Sequence, residues 1–342
     1  MVRKMSVPPL ELTGETGDGT QMCAVVERIG EITVRRAYIP DPADHEVRVK
    51  VKWVGICGSD IEVFRGAREP EFVSYPTRLG HEVAGVIDKV GAGVIGLQEG
   101  DHVALRYVWG AFAEYVCCSP FSVKVLPKGL PLLEGSLIEV LPGIVHAAEL
   151  GDINPGKNVL IMGQGVSGLV LTQVVSLYSS RNLVVTDLFD EKLELARRYG
   201  ATHTYRLPSA GTRTMDVLSG DFPDGFDVVI PCLLEGDGMV DAIDAAAQNG
   251  RIVMYGCIGT CHKPFDFFKV HKKRLDIYST EPKRDIDNRR YFDEGLRLVM
   301  DGLVNTKDMI THIVPLSEVG KAFDIRNSHQ GGTIHVMIDC EN

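Results

Sequence analysis

Asn158-Val159-Leu160-Ile161-Met162-Gly163-Gln164-Gly165-Val166-Ser167-Gly168-Leu169-Val170-Leu171 is the stretch on which the reading of this chain turns. An apolar run ends at a glycine, as in a strand covered on both faces, and an apolar helix pattern follows the third glycine directly. Each glycine of a G-x-G-x-x-G spacing has its own work at such a junction. Gly163 allows the tight turn, Gly165 lets backbone approach a pyrophosphate, and Gly168 permits close packing of helix on strand. Val166 then opens a helix whose unpaired N–H groups would face the anion. Alone, the spacing is a weak signal.

The following strand pattern, Asn182 to Asp187, strengthens it, because Asp187 comes 19 residues after Gly168. An acid there accepts hydrogen bonds from ribose hydroxyls and repels a 2′-phosphate. No Arg or Lys occurs from Leu188 through Glu191, so NAD is expected rather than NADP. The competing reading makes Asp187 a loop residue capping the next helix and the glycines plain turn formers. The order strand, glycines, helix, strand, acid favours the dinucleotide. Helix patterns at Asp190–Ala201 and Met239–Gly250 alternate with strand patterns at Phe226–Cys232 and Arg251–Gly256, which predicts a doubly wound parallel sheet.

Upstream the period changes. Between Met22 and about Val140, β-rich runs alternate with Gly, Pro and Asp turns, and Glu46–Val54 sets apolar residues against Arg48, Lys50 and Lys52 with period two. The chain is therefore expected to be α/β, an irregular β-barrel domain followed by a Rossmann domain. The expected boundaries are an N-terminal extension over 1–21, a β domain over 22–150 and a nucleotide-binding domain over 151–305. Ser317 is a plausible cap for the helix pattern near the end, and the closing strand pattern at Thr333–Asp339 has no assigned domain from pattern alone.

Composition agrees with two domains, since single cores stop growing near ~250–300 residues and this chain has 342. A net charge of −10 argues against nucleic acid or an anionic membrane surface as partner, and no apolar run approaches the ~20 residues of a membrane span. The start lacks the apolar region of a signal peptide, so a cytoplasmic protein is expected. The short cluster Lys272, Lys273 and Arg274 reads as a solvated loop. Eight cysteines without a C-x-x-C pair make no disulfide framework, and Cys117 and Cys118 read as ordinary buried thiols.

The β-rich half carries Cys57-Gly58-Ser59-Asp60 and, 24 positions after the cysteine, Gly80-His81-Glu82. One thiol, one imidazole and carboxylates are a donor set that suits zinc. Spacing alone is only suggestive, because a lone cysteine is commonly a small buried hydrophobe and a lone histidine a structural residue.

With these motifs in order the chain resembles the zinc-dependent medium-chain dehydrogenase/reductase family, in its sorbitol, polyol and threonine dehydrogenase-like branch. The matching residues are Gly55-Ile56-Cys57-Gly58-Ser59-Asp60, Gly80-His81-Glu82, Gly100-Asp101-His102-Val103, Gly110-Ala111-Phe112-Ala113-Glu114-Tyr115, the Glu139-to-Ala147 segment, the three glycines and Asp187. The resemblance implies a GroES-like β domain, completed by 306–342. It implies Cys57 and His81 as direct zinc ligands, Glu82 as a carboxylate that binds the metal or swings off it, and Glu139 as a further ligand, direct or through water. Val140 stands where the family has proline. Ser59 would exchange a proton with the substrate hydroxyl. Glu62 occupies the place of a relay histidine and reads either as a relay or as a solvated face residue.

The family's four-cysteine lobe is absent, since only Ala104 to Trp109 separate Val103 from Gly110, so one catalytic zinc and no structural zinc is implied. Arg106, Tyr107 and Trp109 in that short connection either line a substrate pocket or buttress the site. Pro231-Cys232 replaces a position that is often acidic. The implied activity is hydride transfer between NAD and a polar secondary alcohol or ketone: a polyol, sugar derivative, cyclitol or amino alcohol. The implied assembly is a homodimer or homotetramer. The alternatives are a zinc-free enone or quinone reductase of the same fold and a non-catalytic cofactor-binding protein.

Overall fold

The computed structural model describes residues 19–67, 73–233, 237–255, 261, 263–281, 285–328 and 330–342; most of the expected extension over 1–21 lies outside them. The chain divides into two compact units, Met1–Glu139 with Ile310–Asn342, and Val140–Met309. No helix among the described residues is long and apolar enough to cross a membrane.

The first unit contains β1 (Thr20–Arg28), β2 (Glu31–Tyr38), β3 (Val47–Gly55), α1 (Gly58–Arg65), β4 (Glu82–Val90), β5 (His102–Leu105), β6 (Tyr115–Cys118), β7 (Val123–Val125) and α2 (Leu132–Gly135). The second contains α3 (Leu141–Gly151), β8 (Asn158–Met162), α4 (Val166–Ser176), β9 (Asn182–Asp187), α5 (Asp190–Arg198), β10 (His203–Arg206), α6 (Thr214–Leu218), β11 (Phe226–Pro231), α7 (Asp237–Ala245), β12 (Ala246–Met254), α8 (Phe267–Lys273), β13 (Asp276–Ser279) and α9 (Asp285–Met300). The chain then returns to the first unit through β14 (Ile310–Pro315), α10 (Val319–Asn327) and β15 (His335–Asp339).

In the first unit β1 and β2 pair as a hairpin, and a larger sheet runs β14-β15-β3-β4-β5-β7, with β6 also pairing β3. Val47, Val49 and Val51 are without solvent contact, as the period-two pattern requires, and Val54 joins them after a register shift between Val51 and Trp53. Arg48 is buried too, held by Asp88 at 2.6 Å. The closing strand β15 inserts between β14 and β3, which settles its membership in this unit. Ser317 lies in a 3₁₀ turn, Leu316–Glu318, and α10 opens only at Val319, with Glu318 at its cap.

The second unit is a wholly parallel sheet in the order β10-β9-β8-β11-β12-β13, the strand order of a Rossmann fold. Leu160, Val184, Val229 and Ile252 fill its core without solvent contact. One expected helix is shortened. Residues 246–250 belong to β12 rather than to α7, because Ala246 pairs in parallel with Phe226. Lys273 Nζ donates to the carbonyls of Ile243, Asp244 and Ala246 at 3.0, 2.9 and 2.6 Å and so caps the end of α7. Its role corrects the reading of this lysine as part of a solvated loop.

Candidate metal centre and dinucleotide loop

Cys57 stands between the end of β3 and the first turn of α1, as the N-cap, with extended dihedrals (φ −69°, ψ 161°). Asp60 fixes it there, since Oδ2 accepts the Cys57 N–H at 2.9 Å. The other oxygen reaches a different segment: Oδ1 accepts the Gly80 N–H at 3.1 Å and lies 3.6 Å from His81 Nδ1. Gly80 must be glycine, with φ +92° and Phe112 N 2.8 Å from where a Cβ would be. One buried carboxylate thus joins the two segments that carry the thiol and the imidazole.

The Cys57, His81 and Glu82 donor atoms lie within 4.8 Å of one another. His81 and Glu82 are buried and Cys57 is half-buried. Glu82 Oε1 lacks a hydrogen-bond partner, and Oε2 has the His335 ring beside it at 2.8 Å; a carboxylate so placed is costly in an interior, and a cation relieves it. A sulfur, a nitrogen and an oxygen donor suit zinc, and three protein ligands leave a position open. Burial pushes the Cys57 thiol up, and Glu82 adds to this. For His81, burial opposes the charged ring, yet Asp60 and Cys57 outweigh it and hold the proton well above the ordinary range. Burial likewise opposes the Glu82 carboxylate, but His335 and then His81 bring it down to about 2.

Ser59 and Glu62 share α1, three residues apart and hence on one face. Ser59 is half-buried and Glu62 buried, which removes the solvated-face alternative for Glu62. Glu139 is half-buried and stands outside the three-residue cluster. Burial raises its carboxyl, against the fields of Arg106 and His81. Arg106 Nη1 donates to the Glu139 carbonyl at 2.7 Å, and the Trp109 ring lies 4.2 Å from the His81 ring at 43°. The short connection therefore braces the site. Asp60 was visible in the motif without a role, whereas the Trp109 and His335 contacts carry no local sequence signal.

In the second unit Gly163 turns the chain at φ +88°. A Cβ on Gly168 would lie 1.9 Å from the Gly163 carbonyl oxygen, so only glycine lets α4 pack against the loop. Gly165, the N-cap of α4, has nothing within 4 Å of its Cβ position and leaves open space beside the loop. Val166 is the first residue of α4. Asp187 Oδ2 accepts the Gln164 N–H at 2.6 Å and Oδ1 accepts the Phe189 N–H at 3.1 Å, so the acid is tied to the glycine loop. The cap of α5 is Phe189, not Asp187.

Strand pairing also sets Arg206 of β10 in register with Asp187. Arg206 Nε donates to the Leu188 carbonyl at 3.1 Å and Nη1 lies 3.1 Å from Asp190. The absence of basic residues after Asp187 in sequence is therefore not an absence in space. Cys232 packs behind the loop, its N–H donating to the Met162 carbonyl at 2.8 Å, and burial pushes its thiol up to about 12.

Residues 43–128 match the family described as alcohol dehydrogenase GroES-like domain, and residues 168–287 the family described as zinc-binding dehydrogenase. D-xylulose reductase of Saccharomyces cerevisiae is 29% identical, over 94% of this chain and 98% of its own. Sorbitol dehydrogenase 1 of the same yeast is 28% identical, over 92% and 96%. Among solved structures, a zinc-binding dehydrogenase of Sinorhizobium meliloti bound to NADP aligns with a TM-score of 0.80 and 25% identity, over 94% of this chain and 100% of that one. An alcohol dehydrogenase of Escherichia coli CFT073 complexed with NADH aligns with a TM-score of 0.80 and 25% identity, over 94% and 99%. Sheet orders, donor cluster, glycine loop and family matches agree: the chain belongs to the zinc-dependent medium-chain dehydrogenase/reductase family, on its polyol dehydrogenase-like branch.

Proposed function

We propose that this oxidoreductase interconverts a polar secondary alcohol and its ketone, with NAD as cofactor and one zinc ion per chain. A polyol is the favoured substrate, ahead of a sugar derivative, cyclitol or amino alcohol, because the relatives named for their substrates act on sorbitol and xylulose. The single observation that carries the zinc reading is the trio of half-buried Cys57 and buried His81 and Glu82, with donor atoms within 4.8 Å of one another and Glu82 Oε1 without a partner. Cys57, His81 and Glu82 would hold the ion, and Glu139, close enough to sense the charges of His81 and Glu82, would join them directly or through a water.

When bound, zinc supplies Lewis acidity at the substrate oxygen and the nicotinamide supplies the hydride acceptor. Ser59 exchanges the hydroxyl proton at its Oγ, and Glu62, one turn along the same face of α1, carries it onward. Trp109 and Asp60 keep the His81 ring in place. Gly163, Gly165, Val166 and Gly168 offer backbone to the pyrophosphate, and Asp187 accepts from the ribose hydroxyls. Asp187 favours NAD, while Arg206, in register beside it, would welcome a 2′-phosphate. A homodimer or homotetramer in the cytoplasm completes the reading. The enone or quinone reductase alternative has no use for a buried thiol, imidazole and carboxylate held together.

Metal analysis and a substrate panel test the proposal. The expected result is about one zinc per chain and NAD reduction with polyols, both lost in Cys57→Ala. Less than ~0.3 zinc per chain with full activity in Cys57→Ala refutes it.

A further inference from the structure

Strand β3 ends at Gly55, and its sheet neighbours there are Met337 of β15 on one side and Glu82 of β4 on the other. The two flanking strands send side chains into the space that glycine leaves. A Cβ on Gly55 would lie 2.2 Å from Glu82 Oε2 and 2.3 Å from His335 Nε2. In that space His335 Nε2 and Glu82 Oε2 meet at 2.8 Å, and the two side chains are 0% and 1% exposed. The His335 backbone is itself held: Thr311 Oγ1 donates to its carbonyl at 3.0 Å and accepts its N–H at 3.3 Å. His335 does not belong to the cluster whose donor atoms lie within 4.8 Å of one another, so it touches the carboxylate without joining the ligand set. Arg326 of α10 adds a second positive field on Cys57 and Glu82.

We propose that His335 is a positioning residue of the metal centre. It grips one oxygen of Glu82 in the space vacated by Gly55, orients the carboxylate toward the ion, and thereby sets how tightly the ion is held. The inference rests on the reading of Cys57, His81 and Glu82 as zinc ligands. A group that only orients a ligand acts through affinity and coordination geometry, and partners of this kind shift metal affinity ~10–100-fold. A purely structural buried pair acts through stability alone, so that removing one partner lowers stability whatever replaces it.

The experiment measures zinc affinity of the full-length, metal-stripped chain by competition with a chromophoric chelator, with the visible spectrum of the cobalt-loaded protein and the melting temperature of the metal-free form alongside. The variants are His335→Leu, His335→Gln, Gly55→Ala and Cys57→Ala. The expected result is a loss of about 10–100-fold in zinc affinity and an altered cobalt spectrum for His335→Leu and Gly55→Ala, with lower metal-free melting as well, since one strands Glu82 in the interior and the other crowds it. His335→Gln, which offers an N–H near the place of Nε2, recovers most of the affinity. Wild-type affinity in a folded His335→Leu, with Cys57→Ala devoid of zinc, overturns the inference and leaves the zinc reading standing. Equal loss in His335→Leu and His335→Gln, tracking lower metal-free melting temperatures, overturns it in favour of a structural pair. Failure of the wild-type chain to bind zinc overturns both readings together.

Discussion

Asp60 accepts the backbone N–H of Gly80 at 3.1 Å across 20 residues of chain. That bond, with the one from Cys57 N–H to the same carboxylate, makes the metal centre a property of the fold rather than of either motif. In Asp60→Ala both N–H groups lose their acceptor in the interior, at ~1–3 kcal/mol each, so thermal unfolding should show a loss of about 2–6 kcal/mol. Asp60→Asn keeps an acceptor and should lose less. Unchanged stability in Asp60→Ala would show that the two segments are aligned by packing alone.

Zinc uptake by the metal-free protein should release about two protons per ion, because the raised Cys57 thiol and the raised His81 ring both carry protons near neutral pH while Glu82 is already ionised. Affinity therefore rises with pH through the neutral range, as zinc titrations in two buffers of different protonation enthalpy will show. Binding independent of pH contradicts these shifts. For stability of the metal-free chain the two groups act in opposite directions. The His81 contribution is fully present below its unfolded value near ~6.5 and disappears as pH rises through its folded value. That of Glu82 is present above ~4.3 and disappears as pH falls toward about 2.

Gly168→Ala and Gly165→Ala should fail in different ways. The Gly168 methyl meets the Gly163 carbonyl, which is backbone and cannot swing aside, so a loss of roughly 1–3 kcal/mol in stability accompanies the loss of cofactor binding. At Gly165 the methyl meets nothing in the protein. Its melting temperature should match wild type while NAD binding, measured by fluorescence titration, weakens at least about tenfold, near 1.4 kcal/mol. Equal stability of the two variants would place the close approach elsewhere.

Asp187→Ala should raise the NADP-to-NAD ratio of kcat/KM by about tenfold or more, since it removes the repulsion and leaves Arg206 in register beside the vacated position. Adding Arg206→Ala should reverse much of that gain. Steady-state kinetics with both cofactors decide it, and an unchanged preference in Asp187→Ala means that another group discriminates.

The second unit was the more legible half. A strand, its glycines, a helix and an acid follow one another within 30 residues, Asn158 to Asp187, and local chemistry dictates each of them. The places where pattern misled are those where a distant strand decided. The helix expected through Gly250 stops at Ala245 because Ala246 is claimed by Phe226. Lys273, which reads as a surface charge, points its ammonium at the end of α7. The acid-only neighbourhood of Asp187 acquires Arg206 through β10.

By itself the sequence determined which donors exist, the order of two domain types and the glycine loop, because these depend on residue identity and spacing within a few positions. Only the tertiary structure decided that Asp60 joins Cys57 to Gly80, that Trp109 lies on His81, and that a strand from the far end of the chain sets His335 against Glu82. Sheet pairing and burial bring such groups together across long stretches of chain, and once water is excluded each charged or polar atom must find its partner wherever the fold has put it.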